Sequence, residues 1–463
     1  MSGVSLPRVL FGGVSSGSGK TTVACGVIQA LRNRGMRLSA FKCGPDFIDP
    51  MFHARVLGSP SHNLDLFFTE EETVRGLLLR HSAGAQLAVL EGVMGYYDGV
   101  GGTTPKAGSY DLSRATETPA VLVVPARGAS LSLAAVVGGF ARFRPDSGVC
   151  GAVLNRCPPA LYPRLKECVE RETGVRVLGY LPDLPQAHLE SRHHGLVTAA
   201  EIPNLQKKLL AVAEQCEKTI DLGGILGIAR SAPPVSAPPL YAPARAPGEP
   251  LIAVARDEAF CFFYEDNEDL LRRMGARLVP FSPLRDPSLP AGACGLILPG
   301  GYPELSARRL SENDAMLESI RNAVRGGMPL IAECGGFLYL HEFLEDADGT
   351  PHPAVGLVPG RAKRAGRMGN FGYVTLRAER DNLLCPAGGR IRAHEFHYWQ
   401  SENPGAGFRA EKPYGGKSWP CVHAGKTVYA GFPHLYFYAN PAFAERFVRA
   451  CAAYTKERGL PPC

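Results

Sequence analysis

Two short stretches carry residue types able to do chemistry. Gly13-Val14-Ser15-Ser16-Gly17-Ser18-Gly19-Lys20-Thr21-Thr22 follows the apolar run Val9-Leu10-Phe11 and opens an apolar-periodic segment from Val23 to Leu31. Glycines between a strand and a helix let backbone N–H groups surround phosphates, so Gly13, Ser16, Gly17, Ser18, Gly19, Lys20, Thr21 and Thr22 are the expected nucleotide-binding set. Lys20 would reach the β- and γ-phosphates and Thr21 a Mg2+ ion. Far downstream, Ala332-Glu333-Cys334-Gly335-Gly336 reads as a nucleophile elbow. A nucleoside triphosphate site can activate a carboxylate, and a thiol elbow can strip ammonia from glutamine. Together they point to ATP-driven amide formation.

Two further loops at the ends of apolar runs supply acids. Lys42-Cys43-Gly44-Pro45-Asp46-Phe47-Ile48-Asp49-Pro50 carries a lysine and two aspartates, and Glu91-Gly92-Val93-Met94-Gly95-Tyr96-Tyr97-Asp98-Gly99 begins with a glutamate. Mg2+ takes one or two carboxylates besides phosphate oxygens, so Asp46 and Glu91 join Thr21 as expected ligands. Lys42 would stabilise charge on the transferring phosphoryl group, with Asp49 as its catalytic companion. The bland alternative, that such acids cap helices or solvate loops, weighs more on Asp49 and Asp98 than on Asp46 and Glu91.

In the second half, a sharp turn at Cys334 would place the thiol at a helix N-terminus, where the local dipole favours thiolate. His434, in Gly431-Phe432-Pro433-His434-Leu435-Tyr436, is the expected base. The amides of Gly300 and Gly301, after the run Gly295 to Leu298, and that of Gly335 are the expected oxyanion donors.

The resemblance these residues carry is specific. Five residues rather than four separate Gly13 from Gly19-Lys20-Thr21. With Lys-x-Gly-Pro-Asp-x-Ile-Asp-Pro and Glu-Gly-x-Met-Gly-x-x-Asp-Gly, that loop resembles the cobyrinic acid a,c-diamide synthase family, whose N-terminal domain is similar to dethiobiotin synthetase. Leu154-Asn155-Arg156 resembles the family segment in which the asparagine lies near the nucleotide base. Arg192-His193-His194-Gly195-Leu196 matches a later one, with His194 where leucine is usual. The second half resembles the class I glutamine amidotransferase domain of the same enzymes, with Pro299 in place of the first glycine of Gly-Gly-Gly-Tyr-Pro-Glu. Ordinary members place a glutamate two residues after the histidine, but here Tyr436 stands there. The resemblance therefore implies a Cys-His dyad without that carboxylate, slow to hydrolyse glutamine until the other site is loaded. It also implies that ATP, L-glutamine and a corrinoid tetrapyrrole are substrates and that the a and c acetates of cobyrinic acid become amides through acyl phosphates. Hydrogenobyrinic acid and nickel-sirohydrochlorin are alternative macrocycles, cobyric acid synthase is a less fitting relative, and a P-loop switch that only binds partners is the rival from another class. The segment Arg392-Ala393-His394-Glu395-Phe396-His397-Tyr398 matches the family as well, and either lines an ammonia path or forms a satisfied strand pair.

The elements that must hold these residues follow from apolar runs. Val9–Phe11, Leu38–Phe41, Leu87–Leu90, Ala120–Val124 and Gly151–Leu154 are continuous rather than alternating, as in strands buried on both faces, with room between them for crossover helices. The rhythm resumes at Leu251–Ala255, Gly295–Leu298 and Pro329–Ala332. Between the halves, residues 231–250 hold seven prolines and read as an extended linker. The expectation is a two-domain α/β chain: a parallel-sheet P-loop domain over 1–230, the linker, and an amidotransferase-like α/β domain over 251–463. With 45% hydrophobic and 20% charged residues and a net charge of +6 spread along the chain, composition is that of an ordinary globular enzyme and argues against nucleic acid. No apolar run suits a membrane span, no signal-like h-region opens the chain, and thirteen cysteines include no CxxC pair. The reading is cytoplasmic, with reduced thiols, and carries a homodimer as an expectation that the sequence does not decide.

Overall fold

The computed structural model describes residues 3–185, 191–192, 195–196, 202–366 and 369–458. The chain divides into two compact units, Met1–Leu240 and Tyr241–Cys463.

Unit one is built on seven strands: β1 (Arg8–Gly13), β2 (Leu38–Cys43), β3 (His62–Leu64), β4 (Leu87–Glu91), β5 (Ala120–Pro125), β6 (Val149–Asn155) and β7 (Val177–Leu181). They lie in the order β3-β2-β4-β1-β5-β6-β7, all parallel. Every residue of β1 and β4 is buried, as their unbroken apolar runs require. Register sets the site: Glu91 ends β4 opposite Phe11 of β1 on one side and Lys42 of β2 on the other. Helix α1 (Lys20–Asn33) leaves the phosphate loop and packs against the helix Leu205–Thr219. A Cβ at Gly26 would lie 2.6 Å from both Cys216 Sγ and Val212 Cγ1, so glycine permits that close approach. Helix α2 (Ile48–Leu57) follows β2 and carries Asp49 in its first turn.

Unit two has a sheet in the order Arg277–Phe281, Leu251–Ala255, Gly295–Leu298, Leu330–Glu333, Val428–Gly431 and His423–Ala424, parallel except for the last strand. The three runs anticipated there are adjacent strands. A five-stranded antiparallel sheet lies beside it: Ser418–Cys421, Phe408–Glu411, Phe371–Ala378, Arg390–Phe396 and His434–Leu435. That sheet was not anticipated, because its strands alternate buried and partly exposed residues and mix charges into the pattern. It brings His394 directly opposite His434.

Residues 231–250 contain no helix or strand, only a bridge in which Val235 exchanges backbone hydrogen bonds of 2.7 and 2.9 Å with Val4. They are not loose, however: Leu240 lies against Gly76, and Ala246 N–H donates to Met274 O at 2.7 Å. Among the described residues twelve cysteines are free thiols, and no helix is long and apolar enough to cross a membrane.

Candidate active sites

The phosphate loop closes on itself. Ser18 Oγ donates to Ser15 O at 2.8 Å and accepts from Ser15 N–H at 3.1 Å, while Gly17 and Gly19 adopt φ of 75° and 90°. Asn155, at the end of β6, donates from Nδ2 to Ser18 O at 2.9 Å, and a Cβ on Gly19 would sit 2.0 Å from that nitrogen. The asparagine thus braces the loop, and only glycine fits beneath it. Ser16 is exposed and Thr22 half-buried on the first turn of α1. Lys20 turns back over Gly13, its Nζ donating to Met94 O at 2.6 Å and Ser15 O at 3.3 Å.

Below the loop, the ends of β2 and β4 and the first turns of α1 and α2 assemble a polar cluster. Thr21 Oγ1 donates to Glu91 Oε1 at 2.7 Å and to Asp49 Oδ1 at 3.2 Å. Lys42 Nζ lies 2.5 Å from Asp49 Oδ2 and 3.1 Å from Glu91 Oε1 and donates to Gly92 O at 2.9 Å. His53 Nε2 meets Glu91 Oε2 at 2.6 Å, and its Nδ1 meets Ser61 Oγ at 3.2 Å. His53 was missed in the sequence, although its place four residues after Asp49 puts both on one face of a helix.

Burial alone would lower the Lys42 pKa, but attraction from Asp49, Glu91 and Asp46 outweighs it and holds the lysine above its ordinary range. Burial would likewise raise Glu91, yet Lys42, His53 and the Thr21 hydroxyl hold it below the usual carboxylate range. Asp49 goes the other way, pushed up to about 7 by burial and by Glu91 despite its contact with Lys42. Lys20 is lowered to about 8 by burial and by Lys42.

Asp46, an expected Mg2+ ligand, sits instead at the start of α2, while Asp49 keeps its expected place beside Lys42. Asp46 Oδ1 accepts from the N–H groups of Ile48 at 2.6 Å and Asp49 at 3.3 Å, capping α2. The acid beside Thr21 and Glu91 is Asp49, expected as the catalytic companion of Lys42 and not as a ligand. Asp98 Oδ2 accepts from Gly95 N–H at 3.0 Å within its own loop. His193 and His194 lie outside the described residues.

In unit two the strand Leu330–Glu333 ends in a strained turn, with Cys334 at φ 46° and ψ −103° before the short helix Gly335–Tyr339. The thiol is buried, donates to Phe396 O at 3.6 Å and receives the Gly335 N–H. Burial, then the nearby Glu304, push the thiol pKa well up, against the thiolate expected from the helix dipole, and the Gly335 amide only partly opposes them. A helix of five residues has little dipole to set against full burial.

Gly301 and Gly335, two of the three expected oxyanion donors, lie side by side at the elbow. Gly301 N lies 2.9 Å from where a Cβ on Gly335 would be, so those two backbones meet closely. Gly300 differs, since its N–H donates to Phe262 O at 3.2 Å. Its contribution is space: a Cβ there would sit 2.4 Å from His434 Cε1 and 3.3 Å from Nε2. The opposite ring nitrogen of His434, Nδ1, lies 3.5 Å from Glu333 Oε2. Tyr436 sends its hydroxyl to Asp266 Oδ2 at 3.2 Å. His397 stacks on Phe432 with ring centroids 3.7 Å apart and meets Glu395 Oε1 at 3.2 Å, while Glu395 Oε2 is buried and makes no hydrogen bond among the described residues.

Known proteins match both units. A family described as the CobQ/CobB/MinD/ParA nucleotide binding domain matches residues 9–197, and the CobB/CobQ-like glutamine amidotransferase domain matches residues 251–442. Proteins named cobyrinate a,c-diamide synthase are similar over nearly the full length. The one from Dehalococcoides mccartyi is 35% identical over 97% of this chain and 99% of its own, and that from Caldanaerobacter subterraneus 36% over 97% and 99%. The Listeria innocua relative is 37% identical over 94% and 97%. With both domain types in one chain and relatives aligned end to end, the chain belongs to the cobyrinate a,c-diamide synthase family.

Proposed function

We propose that the chain is an ATP-dependent, glutamine-hydrolysing ligase that amidates the a and c acetates of cobyrinic acid. The observation that carries this reading is the coexistence of the Thr21-Asp49-Glu91-Lys42 cluster under a phosphate loop with a strained cysteine elbow in the same chain. Thr21 Oγ1, Glu91 Oε1 and Asp49 Oδ1 converge within hydrogen-bonding distance, and such hard oxygens are the donors Mg2+ takes, so they fit that ion. Bound there, Mg2+ would offset charge on the nucleotide phosphates. Lys20 would draw the β- and γ-phosphates to the loop, and Lys42, kept protonated by two carboxylates, would attract the phosphoryl oxygens as the substrate carboxylate attacks.

In the other unit, Cys334 Sγ attacks the glutamine carboxamide while His434 accepts the thiol proton. Gly301 and Gly335 N–H groups stabilise the oxyanion. The C–N bond breaks with His434 returning its proton to ammonia, and water then hydrolyses the thioester to glutamate. Ammonia attacks the acyl phosphate and expels phosphate, giving the amide. ATP as substrate and the free thiols suit a cytoplasmic enzyme, and the homodimer expectation is checked by light scattering.

The test is product mass after incubation with ATP, Mg2+, glutamine and cobyrinic acid, where two hydroxyl-to-amino replacements are expected. Amidation of hydrogenobyrinic acid or nickel-sirohydrochlorin but not cobyrinic acid would change the substrate, and amidation of none of them would overturn the proposal.

A further inference from the structure

The glutaminase site has a carboxylate after all, from an unexpected place. We propose that Glu333 orients His434 through Nδ1 and is a positioning residue of the ammonia-releasing step, an inference that rests on the glutaminase reading of Cys334. The position two residues after the histidine is Tyr436, whose hydroxyl is directed to Asp266. Glu333 reaches the ring from the strand that also delivers the nucleophile. Its Oε2 lies 3.5 Å from His434 Nδ1, and both side chains are almost fully buried, at 1% and 3% exposure. Its Oε1 accepts from Leu435 N–H at 3.1 Å, so one carboxylate anchors the backbone behind the imidazole with one oxygen and faces Nδ1 with the other.

The rest of the segment is equally fixed. Asn267 Nδ2 donates to Leu435 O and its Oδ1 accepts from Phe437 N–H, each at 2.7 Å. The missing side chain of Gly300 leaves room on the Cε1–Nε2 edge, the edge facing the turn that also packs on Gly335. The imidazole therefore has Nδ1 toward a carboxylate and its Cε1–Nε2 edge against the Gly300 turn. A carboxylate at Nδ1 keeps the proton on that nitrogen, leaves Nε2 as the base, and stabilises the imidazolium once the thiol proton arrives. At 3.5 Å the two atoms are within ion-pair range without a hydrogen bond between them, and a positive charge on the ring would attract the carboxylate. The bend at Cys334 is what lets two adjacent residues, carboxylate and thiol, serve one histidine.

Glu333→Gln tests this, because it keeps the size and an acceptor for Leu435 N–H while removing the charge. With glutamine as donor, kcat should fall at least about tenfold, short of the roughly 10⁴-fold seen when a triad carboxylate is amidated elsewhere, with KM for glutamine little changed. Amidation driven by ammonium chloride should proceed at the wild-type rate, and Glu333→Asp should recover part of the glutamine-dependent kcat. A glutamine-dependent kcat within about twofold of wild type would overturn the role, as would a parallel fall of the ammonium-driven rate, which marks a structural effect. Failure of the underlying reading looks different: Cys334→Ala would then retain glutamine-dependent amidation.

Discussion

Strain at Cys334 gives a prediction whose sign is opposite to ordinary expectation. At most buried positions alanine is more stable than glycine, since glycine loses about 0.5–1 kcal/mol more backbone entropy on folding. At φ 46° and ψ −103° any Cβ is in a sparsely populated region, and such residues carry about 1–3 kcal/mol of strain each. Subtracting the entropy term leaves Cys334→Gly more stable than Cys334→Ala by about 1 kcal/mol, within a range of roughly 0–2.5 kcal/mol. Comparing the two variants with each other cancels the lost sulfur and its packing, which both share. Urea denaturation followed by a probe in unit two reads the difference directly. Both variants should lack glutamine-dependent amidation and retain the ammonium-driven reaction. An alanine variant more stable than the glycine variant by 0.5 kcal/mol or so would refute the strain argument, because the turn would then impose no cost on a side chain.

Asp49→Asn should abolish ATP-dependent amidation, whereas Asp46→Ala should cost about 1 kcal/mol of stability as a lost helix cap while leaving measurable turnover; steady-state rates and thermal midpoints on both variants separate the roles. Gly300→Ala should displace His434, since the new methyl would sit 2.4 Å from Cε1, and reduce glutamine-driven but not ammonium-driven amidation. His394 is held down to about 3 by burial, with His434 and Lys412 adding to it. The unfolded chain therefore binds the extra proton between about pH 3 and 6.5, and the folded state loses stability as pH falls through that window. Denaturation of unit two from pH 7 to pH 4 should show this slope, and His394→Gln should flatten it.

What was legible in the sequence is what chain locality and burial decide. The central strands of both units were readable because strands buried on both faces leave unbroken apolar runs. β7 was not, because Gly179 interrupts it at φ 131°, and β3 is only three residues long. The antiparallel strands of unit two hide their pattern behind charged residues such as Arg377 and Glu395. Lys20, Thr21, Glu91, Cys334 and His434 announce themselves by motif. That Asp49 and not Asp46 stands beside Thr21 and Glu91 could not be read, since which acid meets the free N–H groups of α2 depends on where its first turn begins. Gly300 illustrates the same limit, because spacing identifies a glycine but not whether its amide is already donated to Phe262. His53 and Glu333 act across strands and helices, and register, which local sequence does not state, brings them to their partners.

The two candidate centres are electrostatic opposites. Lys42 sits between Asp49 and Glu91 and is kept charged, so its part of the synthetase chemistry needs no proton movement beforehand. Burial and neighbouring Glu304 and Glu395 push the Cys334 thiol pKa up and so favour the neutral form, making proton transfer part of the cost of attack. That transfer goes to a base whose far nitrogen faces Glu333, and its cost falls as the pair closes from 3.5 Å. A thiol so placed has little intrinsic tendency to attack glutamine on its own. In the proposed reaction this is the useful asymmetry, because ammonia released before an acyl phosphate forms is lost to protonation and to solvent. In one chain, a site poised to transfer phosphate and a site that must be driven to release ammonia put the controllable step at Cys334 and His434.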